Sequence, residues 1–138
     1  MWLSFLGATL LNDFMKNVAA DCLANNTNIL YSTVRFIDKD SESFLAWAKE
    51  PFACVIFNLH VEHTAHHIAV GALALRRLIN RASQYGGSYY LTYHRFASRD
   101  EILACYPQFP QLLKMKKRLD PDEVFVSDWY RHYKGMFG

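Results

Sequence analysis

Polar-tipped aromatic residues follow a glycine pair in the segment GGSYYLTYHRFAS, residues 86–98. His94 could accept a proton, because an imidazole titrates near neutral pH. Tyr90 and Tyr93 could donate hydrogen bonds and stack on a ring, and Arg95 could supply a fixed positive charge. These residue types suit a site that orients a ligand and assists proton transfer. The alternative interpretation is an ordinary amphipathic strand with tyrosines at the domain rim.

Two earlier strand-like segments, ILYSTVRFI and FACVIFNLHV, add residues to this candidate site. Asn58 could orient hydroxyl groups, His60 could accept a proton, and Arg35 could hold an anionic substituent. Alternate residues of a strand share a face. One polar, aromatic sheet face is therefore predicted from Tyr31, Thr33, Arg35, Asn58, His60, Tyr90, Thr92 and His94. The apolar alternates, predicted to pack against helices, are Val34, Phe36, Val55, Phe57, Leu59 and Leu91.

The histidine-rich segment HVEHTAHH invites a metal-site hypothesis. Neutral imidazoles bind zinc or copper well. His60 leaves a strand, however, whereas His66 and His67 are adjacent on the first turn of a helix and cannot face one point together. The segment is therefore interpreted as a strand-to-helix corner whose histidines are solvated, with the exception of His60, and no metal is predicted.

The remaining pattern predicts helices that cover one face of this sheet. The first twenty residues are interpreted as an amphipathic helix with Leu3, Leu6, Leu10, Phe14 and Val18 on its apolar side. A brief helix in SESFLAWA is predicted to start at Ser41 and to end before Pro51. The strongest helix follows Thr64 as its cap and ends at Gly86, with an apolar face of Ile68, Ala72, Leu75, Ile79 and Ala82.

The order of elements predicts an α+β fold, a small, mainly antiparallel sheet of ferredoxin-like type with helices on one face and further helices at the C-terminus. The length of 138 residues predicts a single domain over residues 1–138. In the terminal segment DWYRHY, Trp129 and Tyr133 are predicted to anchor the chain to the core.

Composition narrows the classes of partner. The net charge is only +2, and the basic run KMKKR at Lys114 to Arg118 is interpreted as a solvated helix face, so no nucleic acid is expected. The N-terminus lacks a basic region and meets Asn12 and Asp13 early, so neither a signal peptide nor a membrane span is predicted. Three dispersed cysteines among apolar neighbours predict buried thiols and a cytoplasmic location.

A longer succession of residues carries a family resemblance. It comprises the pair Gly86 and Gly87, then Tyr106 and Pro107, a helix with Lys116 to Arg118, the turn Asp120 and Pro121, then Val124 and Phe125, and Asp128. This succession resembles the C-terminal end of FAD-linked oxidoreductases of the vanillyl-alcohol oxidase type, such as aldonolactone oxidases and the decaprenylphosphoryl-ribose oxidase. The resemblance covers residues 86–131 and extends more weakly back to residue 28.

The resemblance implies that the chain is the substrate-binding cap domain of an FAD-dependent oxidoreductase acting on a hydroxylated, sugar-like small molecule. The sequence contains no glycine-rich loop that could cradle a pyrophosphate, so the FAD-binding domain is expected in the same or a companion chain. The chain is then a fragment that is inactive alone. In the flavin chemistry implied, His94, Tyr93 and His60 would assist proton transfer, and Asn58, Tyr90, Arg35 and Arg95 would bind substrate.

One departure from the family pattern concerns substrate identity. The relatives place a lysine fourteen residues before the proline of the Tyr-Pro pair, and counting back from Pro107 reaches Tyr93. A phenol carries no fixed positive charge at neutral pH, so His94 and Arg95 are the candidates to replace that function. The alternative hypothesis is a free-standing binding or oligomerisation module, which predicts a homodimer of the isolated chain. A metal-dependent hydrolase is a more distant alternative.

Overall fold

Four strands and five helices make up the described chain, which covers residues 2–6 and 8–138 of a computed structural model, with side chains from Leu10 onward. In chain order they are β1 (Trp2–Leu6), α1 (Ala8–Ala24), β2 (Ile29–Ile37), β3 (Phe52–Leu59), α2 (Ala65–Gln84), β4 (Ser88–Tyr89), α3 (Arg99–Cys105), α4 (Phe109–Leu119) and α5 (Asp128–Phe137). Within these ranges, none of the helices is long and apolar enough to cross a bilayer.

The sheet has the strand order β2-β3-β1-β4, and each neighbouring pair is antiparallel. Together with α1 and α2, the strands form the βαββαβ succession of a ferredoxin-like unit. Helices α3, α4 and α5 follow this unit. The predicted α+β fold with C-terminal helices is therefore confirmed.

Strand β3 is the centre of the core. Its register with β2 places Val55 opposite Val34 and Ala53 opposite Phe36, as the alternation predicted. Directly opposite residues of an antiparallel pair lie on the same sheet face. Over β3 this face is covered by helices, because the core cluster joins Ala53, Val55 and Phe57 to Phe14 and Val18 of α1 and to Leu78, Ile79 and Ala82 of α2. The predicted packing of Val34 and Phe36 against the helices is wrong, since their side chains are 43% and 75% exposed.

The predicted N-terminal helix is wrong for its first residues, because Trp2–Leu6 forms strand β1 between β3 and β4. A short apolar run is compatible with a helix or a strand. Here the pairing of Leu3 with Val55 of β3 makes it a strand. The predicted inward side chains of Leu3 and Leu6 lie outside the described part of the chain. Farther along, Phe14 and Val18 are buried as predicted, whereas Leu10 is exposed.

Helix α2 begins and ends as predicted. The Thr64 hydroxyl accepts a hydrogen bond from the backbone N–H of His67, and Gly86 has a φ of 70° after the last turn. Its buried stripe is rotated from the predicted one and consists of Gly71, Ala74, Leu78, Ile79 and Ala82. Ile68 is exposed, so its predicted place in the core is wrong.

The segment SESFLAWA forms a loop instead of the predicted helix. The carboxylate of Asp40 accepts hydrogen bonds from the backbone N–H groups of Glu42 (3.0 Å) and Ser43 (2.9 Å). This turn competes with a helix that starts at Ser41. The same hydrogen bonds, those from Ser43 first, lower the pKa of Asp40 below its ordinary value.

The predicted strand in residues 86–98 is reduced to the two residues of β4. Two side chains from the C-terminal part bind carbonyl groups at the end of β4 and just beyond it: the Tyr106 hydroxyl donates to the carbonyl of Tyr89, and Trp129 Nε1 donates to that of Leu91 at 3.1 Å. The chain therefore turns after Tyr89. Leu91 is still buried in the core cluster, as predicted.

The C-terminal helices dock through aromatic side chains. Phe109, at the start of α4, has ring contacts with Trp129 (5.6 Å between centroids), Tyr133 (5.1 Å) and Phe137 (5.2 Å). The predicted anchoring role of Trp129 and Tyr133 is confirmed. Helix α3 begins with a capping box in which Ser98 and Glu101 satisfy each other's backbone N–H groups.

Replacing Phe14 with alanine is expected to destabilise the fold by about 3–5 kcal/mol, because this ring is fully buried between α1 and the sheet. The matched control on the same helix is Leu23→Ala, at a side chain that is 84% exposed, with an expected change within about 0.5 kcal/mol. Urea unfolding followed by circular dichroism measures both. Equal changes in the two variants would contradict this description of the core.

Candidate functional site

Several predicted site residues share the sheet face opposite to α1 and α2. The β2–β3 register places Tyr31 opposite Asn58 and Arg35 opposite Cys54. At the other edge of the sheet, Tyr90 directly follows β4. Since alternate residues along a strand share a face, Tyr90 is placed on the same face as Ser88. Tyr31 and Arg35 are exposed, and Asn58 and Tyr90 are half-buried. We call this surface the polar face.

The polar face is less open than the sequence predicted, since its central strand is buried. Phe52, Cys54 and Ile56 of β3 point away from the helices, yet each is at most 9% exposed. Burial raises the pKa of the Cys54 thiol to about 11, so it is protonated and unreactive near neutral pH. All three cysteines are free thiols, although Cys22 is only half-buried.

An aromatic cluster of Trp47, Tyr90 and Tyr93 stands at the β4 edge of this face. The Tyr90 ring lies 5.4 Å from the Trp47 ring and 5.4 Å from the Tyr93 ring, between centroids. The loop that carries Trp47 is tied to the sheet, because the Ser88 hydroxyl donates a hydrogen bond to the Trp47 carbonyl. Tyr93 is 60% exposed, so the cluster presents aromatic surface to solvent.

His94 follows this cluster directly in the chain. Both of its ring nitrogens are buried and have no hydrogen-bond partner among residues 2–6 and 8–138. Its ring stacks on Phe96 at 5.5 Å between centroids. Burial lowers the pKa of His94 to about 4, so the imidazole is neutral at pH 7. A buried polar group without a partner is uncommon in a protein, which makes His94 the most unusual group of the candidate site.

Two groups of predicted residues share the polar face without touching. Tyr31, Arg35 and Asn58 belong to β2 and β3, whereas the aromatic cluster and His94 follow β4. Strand β1 lies between β3 and β4, so about 10 Å across the sheet separates β3 from β4, and about 14 Å separates β2 from β4. The face therefore offers polar groups on both sides of a span that a small ligand could bridge.

His60 lies elsewhere. It lines a cavity of about 280 Å³ beside helix α2, together with Glu62, His67 and Gly71. Gly71 permits a close approach there, because a Cβ on it would meet Cγ2 of Val61 at 2.9 Å. The structure thus does not bring His60 together with His94. No group of three metal-ligating side chains occurs within the described residues.

Arg95 is exposed and follows His94 directly in the chain. Burial raises the pKa of Tyr133 to about 12, and the positive charge of Arg95 opposes this rise. Tyr93 belongs to the aromatic cluster.

Trp47 is the site residue that the sequence analysis missed. It was assigned to a short helix, whereas the loop carries it to the β4 edge. The signal that could have found this loop is Asp40 directly before Ser41, Glu42 and Ser43, since aspartate favours a turn that caps its own following N–H groups.

A cavity of about 640 Å³ lies apart from the predicted residues, between α4 and the start of α5. It is lined mainly by apolar side chains, among them Leu113, Val124 and Trp129. Asp120 shapes its wall by accepting hydrogen bonds from the N–H groups of Val124 (2.9 Å) and Phe125 (3.0 Å) and from the ammonium group of Lys116.

Part of the basic run KMKKR forms contacts with residues at the C-terminal end of its own helix, α4. Lys116 pairs with Asp120, and Lys117 donates to the carbonyl of Pro121 at 2.7 Å, while Lys114 and Arg118 are exposed. The basic residues of α4, the pair Asp120 and Pro121, and the pair Val124 and Phe125 therefore have a structural role, because their hydrogen bonds close the turn after α4. These contacts bear out the interpretation of the run as a partly solvated helix face.

Neither models of protein families nor curated proteins gave a match to the sequence. The site is therefore defined by its own geometry: a solvent-facing aromatic cluster, a half-buried neutral histidine with buried ring nitrogens beside it, and amide and guanidinium groups across the same sheet face.

The His94 imidazole is expected to make folding stability depend on pH. Its pKa is about 4 in the folded chain and about 6.5 when unfolded. The unfolded chain therefore binds more protons between these values, so this contribution is complete above pH 6.5 and is lost as the pH falls toward 4. Histidine NMR titration should give a midpoint near 4 for His94.

His94→Phe is expected to reduce the loss of folding stability between pH 6.5 and pH 4, because a phenyl ring cannot take up a proton. His63→Phe, at an exposed histidine, is the control and should leave the profile unchanged. An unchanged pH profile in His94→Phe, or a His94 midpoint near its ordinary value, would contradict the burial described above.

Proposed function

We propose that the chain is the substrate-binding cap of an FAD-dependent oxidoreductase that oxidises a hydroxylated, sugar-like small molecule. The observation that carries the proposal is His94, whose two buried ring nitrogens have no partner among the described residues, next to the aromatic cluster. Buried polar groups are almost always satisfied. The arrangement suits a protein whose ligand or companion domain supplies the missing partner.

The groups on the polar face fit one side of a planar ring and a hydroxylated substrate. Bound FAD would accept the hydride from the substrate carbon. On the protein's side, Tyr90 and Asn58 would donate hydrogen bonds to substrate hydroxyls from opposite sides of the face. His94 is neutral at pH 7, which is the form that can accept a hydroxyl proton. Its lowered pKa makes it a weak base until a partner stabilises the charged form.

The remaining predicted residues have more limited roles in this proposal. Arg35 is exposed on β2 and could hold an anionic substituent. Tyr93 would supply stacking and a hydroxyl in place of the relatives' positive charge. His60 lines the cavity beside α2, so its contact with the same ligand requires a change in the loop that carries it.

A companion flavin-binding polypeptide is part of the proposal. Val124 (74% exposed) and Phe125 (81% exposed) present large apolar side chains beside the apolar cavity between α4 and α5. Exposed apolar patches commonly mark protein interfaces. We expect these residues to pack against the domain that binds FAD, in the same or a companion chain, and we expect the isolated chain to be inactive.

Joining this chain to the polypeptide encoded immediately upstream is the direct test. The expected result is a yellow protein whose flavin is reduced by a hydroxylated substrate, whereas this chain alone stays colourless. Visible absorbance and anaerobic substrate titration measure the two properties. An upstream polypeptide that binds no flavin, or a flavin complex that no alcohol reduces, would overturn the proposal.

Removing a substrate contact is expected to weaken substrate binding selectively. In the flavin-containing protein, Asn58→Ala should raise KM about tenfold with flavin content unchanged, because one hydrogen bond to the substrate is lost. Asn80→Ala, at an exposed asparagine on α2, is the matched control and should leave KM unchanged. Equal KM values for the two variants would remove Asn58 from the site.

The second candidate function is a free-standing oligomerisation module without catalysis. It is favoured by strand β2, where Phe36 is 75% exposed and Tyr31 60% exposed. Absence of flavin from the complete protein, combined with stable self-association, would support this candidate over the first.

A further inference from the structure

Strand β2 is a long sheet edge. It spans nine residues, Ile29–Ile37, and pairs with β3 on one side only among the described strands. An edge strand presents backbone N–H and C=O groups that are ready to pair with another strand. Any occupant that satisfies these groups must itself offer extended backbone.

The side chains of β2 do little to discourage such pairing. The strand contains no proline and no lysine, and Arg35 is its one charged residue. Val34 and Phe36 lie on the same sheet face as the buried Val55 and Ala53, yet they are 43% and 75% exposed. Helices α1 and α2 therefore leave β2 uncovered on the face that they cover over β3.

We propose that two copies of this chain associate through β2, pairing antiparallel about a two-fold axis at Thr33. The occupant is inferred to be a second copy because the strand is complementary to itself in this register. Thr33 then meets Thr33 of the second copy, and Tyr31 lies opposite Arg35 of the second copy on the polar face. The threonine pair is a favourable cross-strand pair that forms once on the axis, and the cation–π pair of Tyr31 with Arg35 forms twice.

Charge selects this register over its neighbour. With the axis at Thr33, the two Arg35 residues are four positions apart along the paired strands, about 13 Å. With the axis at Val34, they are only two positions apart, about 7 Å, and like charges approach. The irregularity between Ile29 and Tyr31 lies at the strand end and leaves the stretch from Tyr31 to Ile37 regular.

The proposed interface is separate from the proposed catalytic groups near β4, although it shares Arg35 with the proposed substrate-binding residues. Strand β2 is at one edge of the sheet, and β4, with Tyr90 and His94 beyond it, is at the other. Dimerisation therefore does not rest on the proposed function. The two ideas can fail separately, because one is measured by mass and the other by flavin content and turnover.

Sedimentation equilibrium of the full chain tests the association. The expected particle has twice the 16.0 kDa of one chain. Val34→Lys should raise the dissociation constant of the dimer at least about tenfold, because lysine on an edge blocks pairing. Val70→Lys is the matched control, at a valine of α2 that is 45% exposed, and should dimerise like the unaltered chain. A monomeric unaltered chain, or equal weakening by both variants, overturns the proposal.

Disulfide trapping tests the register. In a background with Cys22→Ser and Cys54→Ala, which removes the half-buried thiol and the thiol directly opposite position 35, Thr33→Cys should form a covalent dimer on mild oxidation, because the two Thr33 positions face each other. Arg35→Cys should form none, since Cα atoms more than about 7 Å apart cannot be bridged. Cross-linking through Arg35→Cys, or no cross-linking through Thr33→Cys, overturns the two-fold pairing at Thr33.

Discussion

Two hydrogen bonds from C-terminal side chains determine how the chain leaves the sheet. The Tyr106 hydroxyl binds the carbonyl of Tyr89, and the Trp129 indole binds the carbonyl of Leu91. Because each carbonyl has a side-chain donor, the backbone gains little by extending the ladder beyond β4. The turn that follows places Tyr93 beside Tyr90 and buries His94. The candidate site at the β4 edge thus depends on the docking of helices that contribute no catalytic group to it.

The elements that the sequence predicted well are those with strong local signals. Strands β2 and β3 follow dense β-branched and aromatic runs, and helix α2 has a threonine cap and a glycine at its end. The failures have different causes. Strand β1 needs a partner strand before it can be told from a helix, the Asp40 turn displaces a short helix, and the length of β4 is set by Tyr106 and Trp129 from distant positions.

The candidate site shows the same division. Strand alternation correctly grouped Tyr31, Arg35 and Asn58 on one face, because a period of two is a local property. Alternation failed for His60, because the strand ends at Leu59 and the chain turns toward α2. The burial of His94 could not be predicted at all, since it results from how the segment after β4 folds against the rest of the chain. Chemistry-bearing side chains at strand ends are thus the least predictable.

Two of the three tryptophans stand at the two structural junctions described above. Trp129 bonds the backbone at Leu91 where α5 docks, and Trp47 borders the aromatic cluster on the polar face. Indole emission responds to polarity and to neighbouring groups, so each ring is an intrinsic optical reporter of its own junction. Single-tryptophan versions of the chain would therefore follow helix docking and ligand arrival as distinct fluorescence signals, without an attached dye.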